Sequence, residues 1–383
     1  MNSTTQFSSQ LIDVCKRAVA ARGGLDYLAA LAFQRRQALR RAAAERRGET
    51  VPAVLIASVT RRCNLDCAGC YSKAIRPEGG PAVASLGGTS TAPLGALRPE
   101  LSDDRFMELF EEAIELGVGA ILVAGGEPLL RRGLLERLSA LRGVLVPVFT
   151  NGTLLDEEAS AMFGRTLVPV FSIEGDEAFT ARRRGAGIHA AALARARAIR
   201  DAGGTFGISV TVTSRNVDCV LSKDFLGEVA ALGASVLFLV EYVPVAPGTE
   251  DLVLDEEQRA RLNEIEATEG LPYPVVRLPG DEEAYGGCLA AGRGFIHIAP
   301  EGALEACPFA PFSDSDAGAE GFGRALGSPL MRAIRERHRE LTETRGGCAL
   351  RDKAGWVASL GGCASARPPS DEAVFEETLL SVS

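Results

Sequence analysis

Continuous apolar runs separated by helical segments dominate the middle of the chain. The runs read VLIASVT (Val54 to Thr60), AILVAGGEP, VLVPVFTNG, TLVPVFSIEG, TFGISVTVT and SVLFLVEYVP. Strands that are buried on both faces of a parallel sheet have this composition. Helical segments such as HAAALARARAIRDAG lie between most of the runs, and only the link TLLDEEASAMFGR is short. The pattern predicts six βα units between about Val54 and Pro244, with an active site at the C-terminal ends of the strands.

The segments that flank this region have different patterns. Residues 7–48 predict a helix whose basic stretch RRQALRRAAAERR favours a solvated face over a contact for an acidic partner. Residues 75–100 are rich in Gly, Pro, Ser and Thr and predict a long flexible insertion. Further on, GFIHIAP, the turn EG and ALEAC predict a β-hairpin.

These patterns divide the chain into four parts. We predict an N-terminal helical segment (1–50), a barrel-like α/β domain (51–250), a C-terminal extension (251–365) and a flexible acidic tail (366–383).

Composition narrows the class of protein. The 383 residues are 46% hydrophobic and 24% charged, which is typical of a globular enzyme. The net charge of −9 argues against broad binding to nucleic acid or to anionic membranes. No signal peptide and no apolar run long enough to span a bilayer is seen, so we expect a cytoplasmic protein that does not bind membranes. Nine cysteines in such a chain favour metal binding over disulfides.

Polar residues and glycines follow five of the six apolar runs, at the edge where parallel strands end together. This number of carboxylates, amides and thiols exceeds what turns alone require. They are Cys63, Cys67 and Cys70 after the first run, then Gly125-Gly126-Glu127-Pro128, Thr150-Asn151-Gly152, Ser172-Ile173-Glu174-Gly175 and Glu241-Tyr242.

The three thiols lie within eight residues, in the pattern C-x3-C-x2-C. A closed zinc site needs four ligands, usually as two C-x2-C pairs. Three cysteines on one loop can instead hold three irons of a [4Fe–4S] cube and leave the fourth iron without a protein ligand. The cluster is the favoured interpretation and zinc is the alternative.

The C-x3-C-x2-C motif directly after the first strand and GGEP at the end of the second resemble the radical S-adenosylmethionine superfamily. The resemblance implies a partial (β/α)6 barrel, a [4Fe–4S] cluster and S-adenosylmethionine. In that family the open iron is chelated by the amino and carboxylate groups of the methionyl moiety. The reduced cluster cleaves the S–C5′ bond, and the 5′-deoxyadenosyl radical removes a hydrogen atom from the substrate.

The resemblance also implies roles for residues at the strand ends. Cys63, Cys67 and Cys70 would hold the cluster. The GGE segment would meet the amino group through exposed backbone, because glycine permits a close approach. The residues that match the cofactor-binding positions are Gly125, Gly126, Glu127, Ser172 and Glu174, with Ser209, Thr211 and Asn216 as further contributors.

Two positions near the cofactor are less well matched. Arg182 to Arg184 supply either a carboxylate contact or a solvated basic turn. Many members of the family carry an aromatic residue before the third cysteine, against the adenine, whereas this chain has Gly69 there. Tyr71 follows that cysteine and is included among the cofactor-binding residues, but the adenine contact itself is unassigned.

The downstream cysteines resemble the SPASM/twitch extension of the same superfamily. The predicted hairpin begins this region, and the segments AGR, HI and CPF around it strengthen the resemblance. It implies one auxiliary [4Fe–4S] cluster held by Cys288, Cys307, Cys348 and Cys363, or by three of these with one iron open to substrate if Cys363 is not a ligand. The alternative is that Cys348 and Cys363 are ordinary buried thiols.

The remaining cysteines and histidines carry no metal pattern. Cys15 and Cys219 are interpreted as thiols without a metal role. His297 lies inside the predicted hairpin strand, where packing is favoured over an approach to the auxiliary cluster.

The resemblance predicts a radical S-adenosylmethionine oxidoreductase that receives electrons from a flavodoxin- or ferredoxin-type reductant. Its substrate is either a small molecule or a peptide. The segment before the first strand reads as too short and too uniformly helical for a leader-binding module, which slightly favours the small molecule. A non-catalytic iron–sulfur electron carrier or redox sensor is the rival, but it leaves GGEP and the ordered polar strand ends unexplained.

Overall fold

A single sheet organises the chain and brings the predicted strand ends to one edge. The structure is a computed structural model that describes residues 25–75, 98–164, 166–265, 270–278, 285–342 and 348–360. Within these ranges the sheet has the order β7-β6-β5-β4-β3-β2-β1-β8-β9. Neighbouring strands are parallel except for the antiparallel pair β8 and β9. The strands are β1 (Val54–Ser58), β2 (Ala120–Ala124), β3 (Val146–Thr150), β4 (Leu167–Ile173), β5 (Gly207–Val212), β6 (Leu237–Glu241), β7 (Val275–Leu278), β8 (Phe295–Ile298) and β9 (Leu304–Glu305).

Helices connect the parallel strands, as the βα pattern predicted. Those up to β7 are α1 (Leu25–Arg46), α2 (Tyr71–Ile75), α3 (Asp103–Leu116), α4 (Arg132–Ser139), α5 (Glu157–Met162), α6 (Glu177–Arg184), α7 (Ile188–Asp201), α8 (Val217–Val220), α9 (Lys223–Leu232) and α10 (Glu256–Glu264). Those after β9 are α11 (Ala317–Glu320), α12 (Phe322–Leu326), α13 (Pro329–Glu336), α14 (Ala349–Asp352) and α15 (Ala354–Leu360). Short 3-10 turns cover Pro128–Arg131, Glu250–Leu252 and His338–Glu340.

The predicted fold class is confirmed: β1 to β6 form a partial (β/α)6 barrel, and a hairpin with helices follows. The sheet does not stop at the barrel, however. β7 extends it beyond β6, and β8 of the predicted hairpin pairs in parallel with β1. An uncovered β1 would expose a row of unpaired backbone groups, and β8 removes that edge. The C-terminal extension therefore continues the same sheet.

The two faces of the sheet have different surroundings, because successive side chains in a strand point to opposite sides. In β1, Leu55 and Ala57 are fully buried in the main core, which also contains Phe106 and Phe110 of α3. Ile56 lies on the other face, next to Leu122 of β2. That inner face is only partly covered, so the half-barrel keeps an open interior.

Helix α1 packs on the base of the barrel through polar side chains. Gln37 is fully buried, and its Nε2 donates to the carbonyl oxygens of Ile114 and Val118 at 2.6 and 2.9 Å. Arg41 is also buried and donates to the Gly117 carbonyl oxygen, and burial lowers its pKa to about 10. These contacts supply hydrogen-bond donors to carbonyl groups in and just after the last turn of α3. The basic stretch is thus a solvated face only in part.

Several predicted features lie outside the described residues. They are the helix before residue 25, most of the insertion (76–97), the tail beyond residue 360, Cys15 and Cys363. Among the helices that are described, none has both the length and the apolar character needed to cross a bilayer.

Replacing Gln37 by alanine tests the attachment of α1. We expect the free energy of unfolding to fall by about 1–3 kcal/mol, because two buried hydrogen bonds are lost. Urea denaturation of the cluster-free chain measures this change. The neighbouring Arg36→Ala is the control, since Arg36 is exposed and its loss should stay within about 0.5 kcal/mol. Equal effects of the two substitutions would contradict the assigned role of Gln37.

Candidate active site

One cavity lies at the C-terminal ends of the strands and reaches down the inner face of the half-barrel. Its wall combines thiols, polar strand ends and a largely apolar floor. Both predicted cysteine groups contribute to it: Cys63, Cys67 and Cys70 from the loop after β1, and Cys307 from the segment after β9. The apolar floor comes from several strands, namely Ile56, Leu122, Phe149, Val240, Leu278 and Phe295.

The cysteine loop is held by its neighbours through backbone hydrogen bonds. The amides of Gly126 and Glu127 donate to the carbonyl oxygens of Thr60 and Arg62 at 2.7 and 2.8 Å. On the opposite side, the Ala68 amide donates to a carbonyl oxygen at the end of α6 at 2.9 Å. The loop is therefore fixed between β2 and α6, with its thiols partly buried.

The two glycines of GGEP allow β2 to pack closely against the cysteine loop, a role that the sequence analysis did not predict. A Cβ atom on Gly126 would lie 2.0 Å from the Arg62 carbonyl oxygen. A Cβ atom on Gly125 would lie 2.5 Å from the Thr60 carbonyl oxygen, and Gly125 also has a φ of 121°. Both glycines thus allow β2 to approach the cysteine loop. The amides of Gly126 and Glu127 donate to this loop, and the carbonyl oxygens of the segment are its groups that can accept from an amino group.

Glu127 lies at the cavity wall, but its carboxylate is committed to the protein. The side chain is 1% exposed. One oxygen accepts from the Leu129 amide at 3.0 Å and from the Thr150 hydroxyl at 2.8 Å, and the other accepts from the Asn151 amide at 3.0 Å. Burial raises the pKa of Glu127, and these hydrogen bonds oppose the rise. The carboxylate ties the end of β2 to the end of β3.

Glu174 and two arginines form the charged part of the site. One oxygen of Glu174 accepts from Nη1 of Arg183 at 2.5 Å and from Nε of Arg184 at 2.6 Å. The carboxylate is 1% exposed, and the arginine side chains are 16% and 13% exposed. Both arginines line the cavity, and Glu174 lies behind them. Two guanidinium groups share one carboxylate, so a net positive charge faces the cavity beside Cys67, whose pKa burial raises and these arginines lower.

The other polar residues predicted to bind the cofactor divide into two groups. Ser172, Ser209, Thr211 and Tyr71 line the cavity. Asn216 does not line it, because its side chain forms hydrogen bonds with the backbone of β5 and of the segment after β4. Its amide nitrogen donates to the Glu174 and Thr211 carbonyl oxygens at 3.1 and 3.0 Å.

Arg182 also turns away from the two cavity arginines. It is exposed, and its guanidinium lies over the ring of Phe179, 5.4 Å from the ring centroid. The basic turn is therefore solvated at Arg182 only.

The downstream cysteines Cys288, Cys307 and Cys348 are buried close together. The thiol of Cys348 lies beside that of Cys307. Burial raises the pKa of Cys307 well above its usual value, and the neighbouring Cys348 and Cys288 add to the rise. The three thiols thus form a second group, and Cys307 connects it to the cavity.

Three cysteines share a backbone contact that the sequence analysis missed. The sulfur of Cys63 accepts from the Leu65 amide at 3.4 Å, and that of Cys288 accepts from the Ala290 amide at 3.5 Å. The Phe309 amide donates to Cys307 in the same way. In each case the donor follows the cysteine by two residues. Such N–H groups stabilise a negative sulfur and tune iron–sulfur clusters.

His297 links the hairpin to the barrel and does not face the cavity. It is fully buried, with Nε2 2.8 Å from the Ser58 hydroxyl and Nδ1 2.8 Å from a Glu305 oxygen. These contacts join β1, β8 and β9 through one side chain.

The thiol groups fit clusters better than a single metal ion. In the described part of the chain, no three His, Cys, Asp or Glu side chains converge as ligands of one ion must. The ligands of a [4Fe–4S] cube bind separate irons and need no common point. The amide donors to sulfur and the cationic wall beside Cys67 agree with a negatively charged group held there.

Comparison with known proteins identifies the central part of the chain. Residues 57–220 match the sequence profile of the Radical SAM superfamily. These residues form a radical SAM domain. Such domains work with a [4Fe–4S] cluster and S-adenosylmethionine, as the sequence motifs implied. The matched region contains the cysteine loop, GGEP and the Glu174 arginine pair, so the radical SAM domain supplies most of the cavity wall.

Two curated relatives are similar to larger parts of the chain. The AdoMet-dependent heme synthase of Methanosarcina barkeri is 26% identical over 291 residues, which cover 68% of this chain and 78% of the relative. A probable GTP 3′,8-cyclase of Halobacterium salinarum is 28% identical over 202 residues, 52% of this chain and 53% of the relative. The match thus spans about half the length of the cyclase.

The fold extends beyond the radical SAM domain. Streptococcus suis SuiB, solved bound to precursor peptide SuiA, aligns with 84% of this chain and 74% of its own, with a TM-score of 0.54 and 14% identity. This likeness concerns the fold alone, and the aligned share of the chain is larger than the radical SAM domain.

Replacing Glu174 by glutamine tests the charged part of the site. We expect a loss of about 3 kcal/mol in the free energy of unfolding, because two nearly buried guanidinium groups lose their carboxylate. Chemical denaturation of the cluster-free chain measures it. Glu177→Gln is the matched control: its side chain is 53% exposed, and its loss should cost less than about 1 kcal/mol. A Glu174 variant as stable as this control would refute the assignment.

Proposed function

We propose that this protein is a radical SAM enzyme with two iron–sulfur clusters that face one substrate cavity. The observation that carries the proposal is that a single cavity is lined both by Cys63, Cys67 and Cys70 and by Cys307 of the second thiol group. A carrier or redox sensor has no need for a largely apolar cavity between its cysteine groups.

The loop cysteines would be the ligands of the first [4Fe–4S] cluster. When bound there, the cluster and S-adenosylmethionine would supply the radical chemistry that activates a C–H bond of the substrate. The protein fixes the loop between β2 and α6, so the three thiolates keep their places. The apolar floor excludes water from the position where the hydrogen atom is removed.

Arg183 and Arg184 are the proposed contacts for the carboxylate of the methionyl moiety. They line the cavity and carry one net positive charge after pairing with Glu174. The role predicted for Glu174 itself is thereby revised: it positions the arginines. The amino group is left to the backbone carbonyl oxygens of Gly125 and its neighbours, while Ser172, Ser209 and Thr211 remain the proposed hydrogen-bonding partners of the ribose.

Cys288, Cys307 and Cys348 are the proposed ligands of the auxiliary cluster. Their burial, the contact between Cys307 and Cys348 and the amide donors to two of the sulfurs support it. Cys363 remains the proposed fourth ligand on the strength of the sequence resemblance alone.

The proposed substrate is a small molecule whose reacting part is apolar. Side chains from β1, β2, β3, β6, β7 and β8 form the floor, and none of those floor side chains is charged. A peptide side chain is the second candidate, because the similarly folded SuiB was solved with a precursor peptide. The protein would act as an oxidoreductase and would receive electrons from a flavodoxin- or ferredoxin-type reductant.

Anaerobic reconstitution tests the two-cluster proposal. We expect about eight irons per chain, and about four in a Cys63→Ala/Cys67→Ala/Cys70→Ala variant, since each [4Fe–4S] cluster contributes four. With a strong reductant and S-adenosylmethionine, the wild-type chain should release 5′-deoxyadenosine and the triple variant should release none. Iron and sulfide analysis and chromatography of the nucleoside provide the measurements.

Two other outcomes would contradict the proposal. Full iron content without release of 5′-deoxyadenosine under a competent reductant would favour the electron carrier. Four irons in the wild-type chain and none in the triple variant would remove the auxiliary cluster. To separate the substrate classes, release of 5′-deoxyadenosine can be compared with added apolar metabolites and with added peptides.

A further inference from the structure

A tyrosine at the end of β6 has a buried hydroxyl that the protein does not satisfy. Tyr242 is 2% exposed, and its amide is fixed to the Val212 carbonyl oxygen at 2.9 Å. Its hydroxyl is buried and has no hydrogen-bond partner among the residues that the structure describes. Buried tyrosine hydroxyls normally have a partner, because a buried donor without an acceptor destabilises the folded state.

The hydroxyl lies against the cysteine loop. An ideal Cβ atom on Gly69 would be 2.6 Å from the Tyr242 oxygen and 3.2 Å from two ring carbons. The ring therefore occupies the space that a side chain at position 69 would take. Gly69 stands between Cys67 and Cys70, so the hydroxyl points at the segment that joins two proposed cluster ligands.

Neighbouring polar groups at the strand ends already have partners. The Glu127 carboxylate binds amides and a hydroxyl of its surroundings, and Glu241 accepts from Nε of Arg259 at 2.9 Å. Asn151 donates to the side chain of Asn64 at 2.9 Å. Tyr242 also lines the cavity, and its buried hydroxyl lies beside Gly69 of the cysteine loop. No described residue supplies its acceptor, and the nearest bound group that this position would meet is one held by the loop.

We propose that the Tyr242 hydroxyl donates a hydrogen bond to a sulfur of the cluster held by Cys63, Cys67 and Cys70, and so raises the reduction potential of that cluster. The inference rests on the proposed function for the existence of the cluster. A hydrogen bond to sulfur stabilises the reduced form more than the oxidised form, because reduction adds negative charge. Gly69 is required, since any side chain there would displace the phenol.

A redox titration of the full chain tests this role. The signal of the first cluster is the electron paramagnetic resonance signal that disappears in the Cys63→Ala/Cys67→Ala/Cys70→Ala variant. In Tyr242→Phe we expect its midpoint potential to become more negative, with unchanged iron content. Tyr273→Phe is the matched control, because it removes another buried hydroxyl, one that donates to the Leu226 carbonyl oxygen at 2.8 Å. Its potential should equal that of the wild-type chain.

A second variant keeps the shape of the site. Placing 3-fluorotyrosine at position 242 strengthens the donor, so the potential should shift in the positive direction. Unchanged midpoint potentials in both Tyr242 variants would overturn the inference. This holds even if Tyr242→Phe weakens the binding of S-adenosylmethionine. Failure of the proposed function has a different signature: the wild-type chain itself would then show no signal that depends on the three loop cysteines.

Discussion

The close contact between the second strand and the cysteine loop is the constraint on which the site depends. Gly125 and Gly126 lie so near the backbone of Thr60 to Arg62 that a side chain at either glycine would overlap a carbonyl oxygen. Two backbone hydrogen bonds join the end of β2 to the loop at this contact. Because the loop has little regular structure of its own, its thiols keep their positions only through such neighbours. The geometry of the proposed cluster is thus set by the strand beside it.

The pairing of β8 with β1 has a comparable effect on the second thiol group. The hairpin that precedes Cys307 is part of the same sheet as the strand that precedes Cys63. His297 strengthens this junction through Ser58 and Glu305. Two cysteines far apart in sequence, Cys63 and Cys307, therefore follow β1 and β9, which lie on either side of β8 in one sheet. This arrangement supports the proposal that both clusters serve one cavity.

Local patterns in the sequence were enough to predict the six parallel strands, the hairpin and the edge at which the polar residues collect. Long-range contacts were not predictable in this way. The pairing of Glu174 with Arg183 and Arg184 depends on how α6 folds back over β4, and the basic turn alone does not specify it. The position of Tyr242 over Gly69 joins residues from the first and sixth units, and an absent side chain at position 69 carries no signal for its partner.

The cysteine thiols at the cavity are surrounded by groups that affect their charge. Burial raises the pKa values of Cys63, Cys67 and Cys307, so these thiols resist ionisation in the chain alone. Iron would reverse this, because a bound cation stabilises the thiolate directly. A cluster that carries net negative charge then needs compensating donors, and the amides of Leu65, Ala290 and Phe309 point at sulfur in both groups. The hydrogen bond proposed for the Tyr242 hydroxyl would add a side-chain donor to these backbone donors.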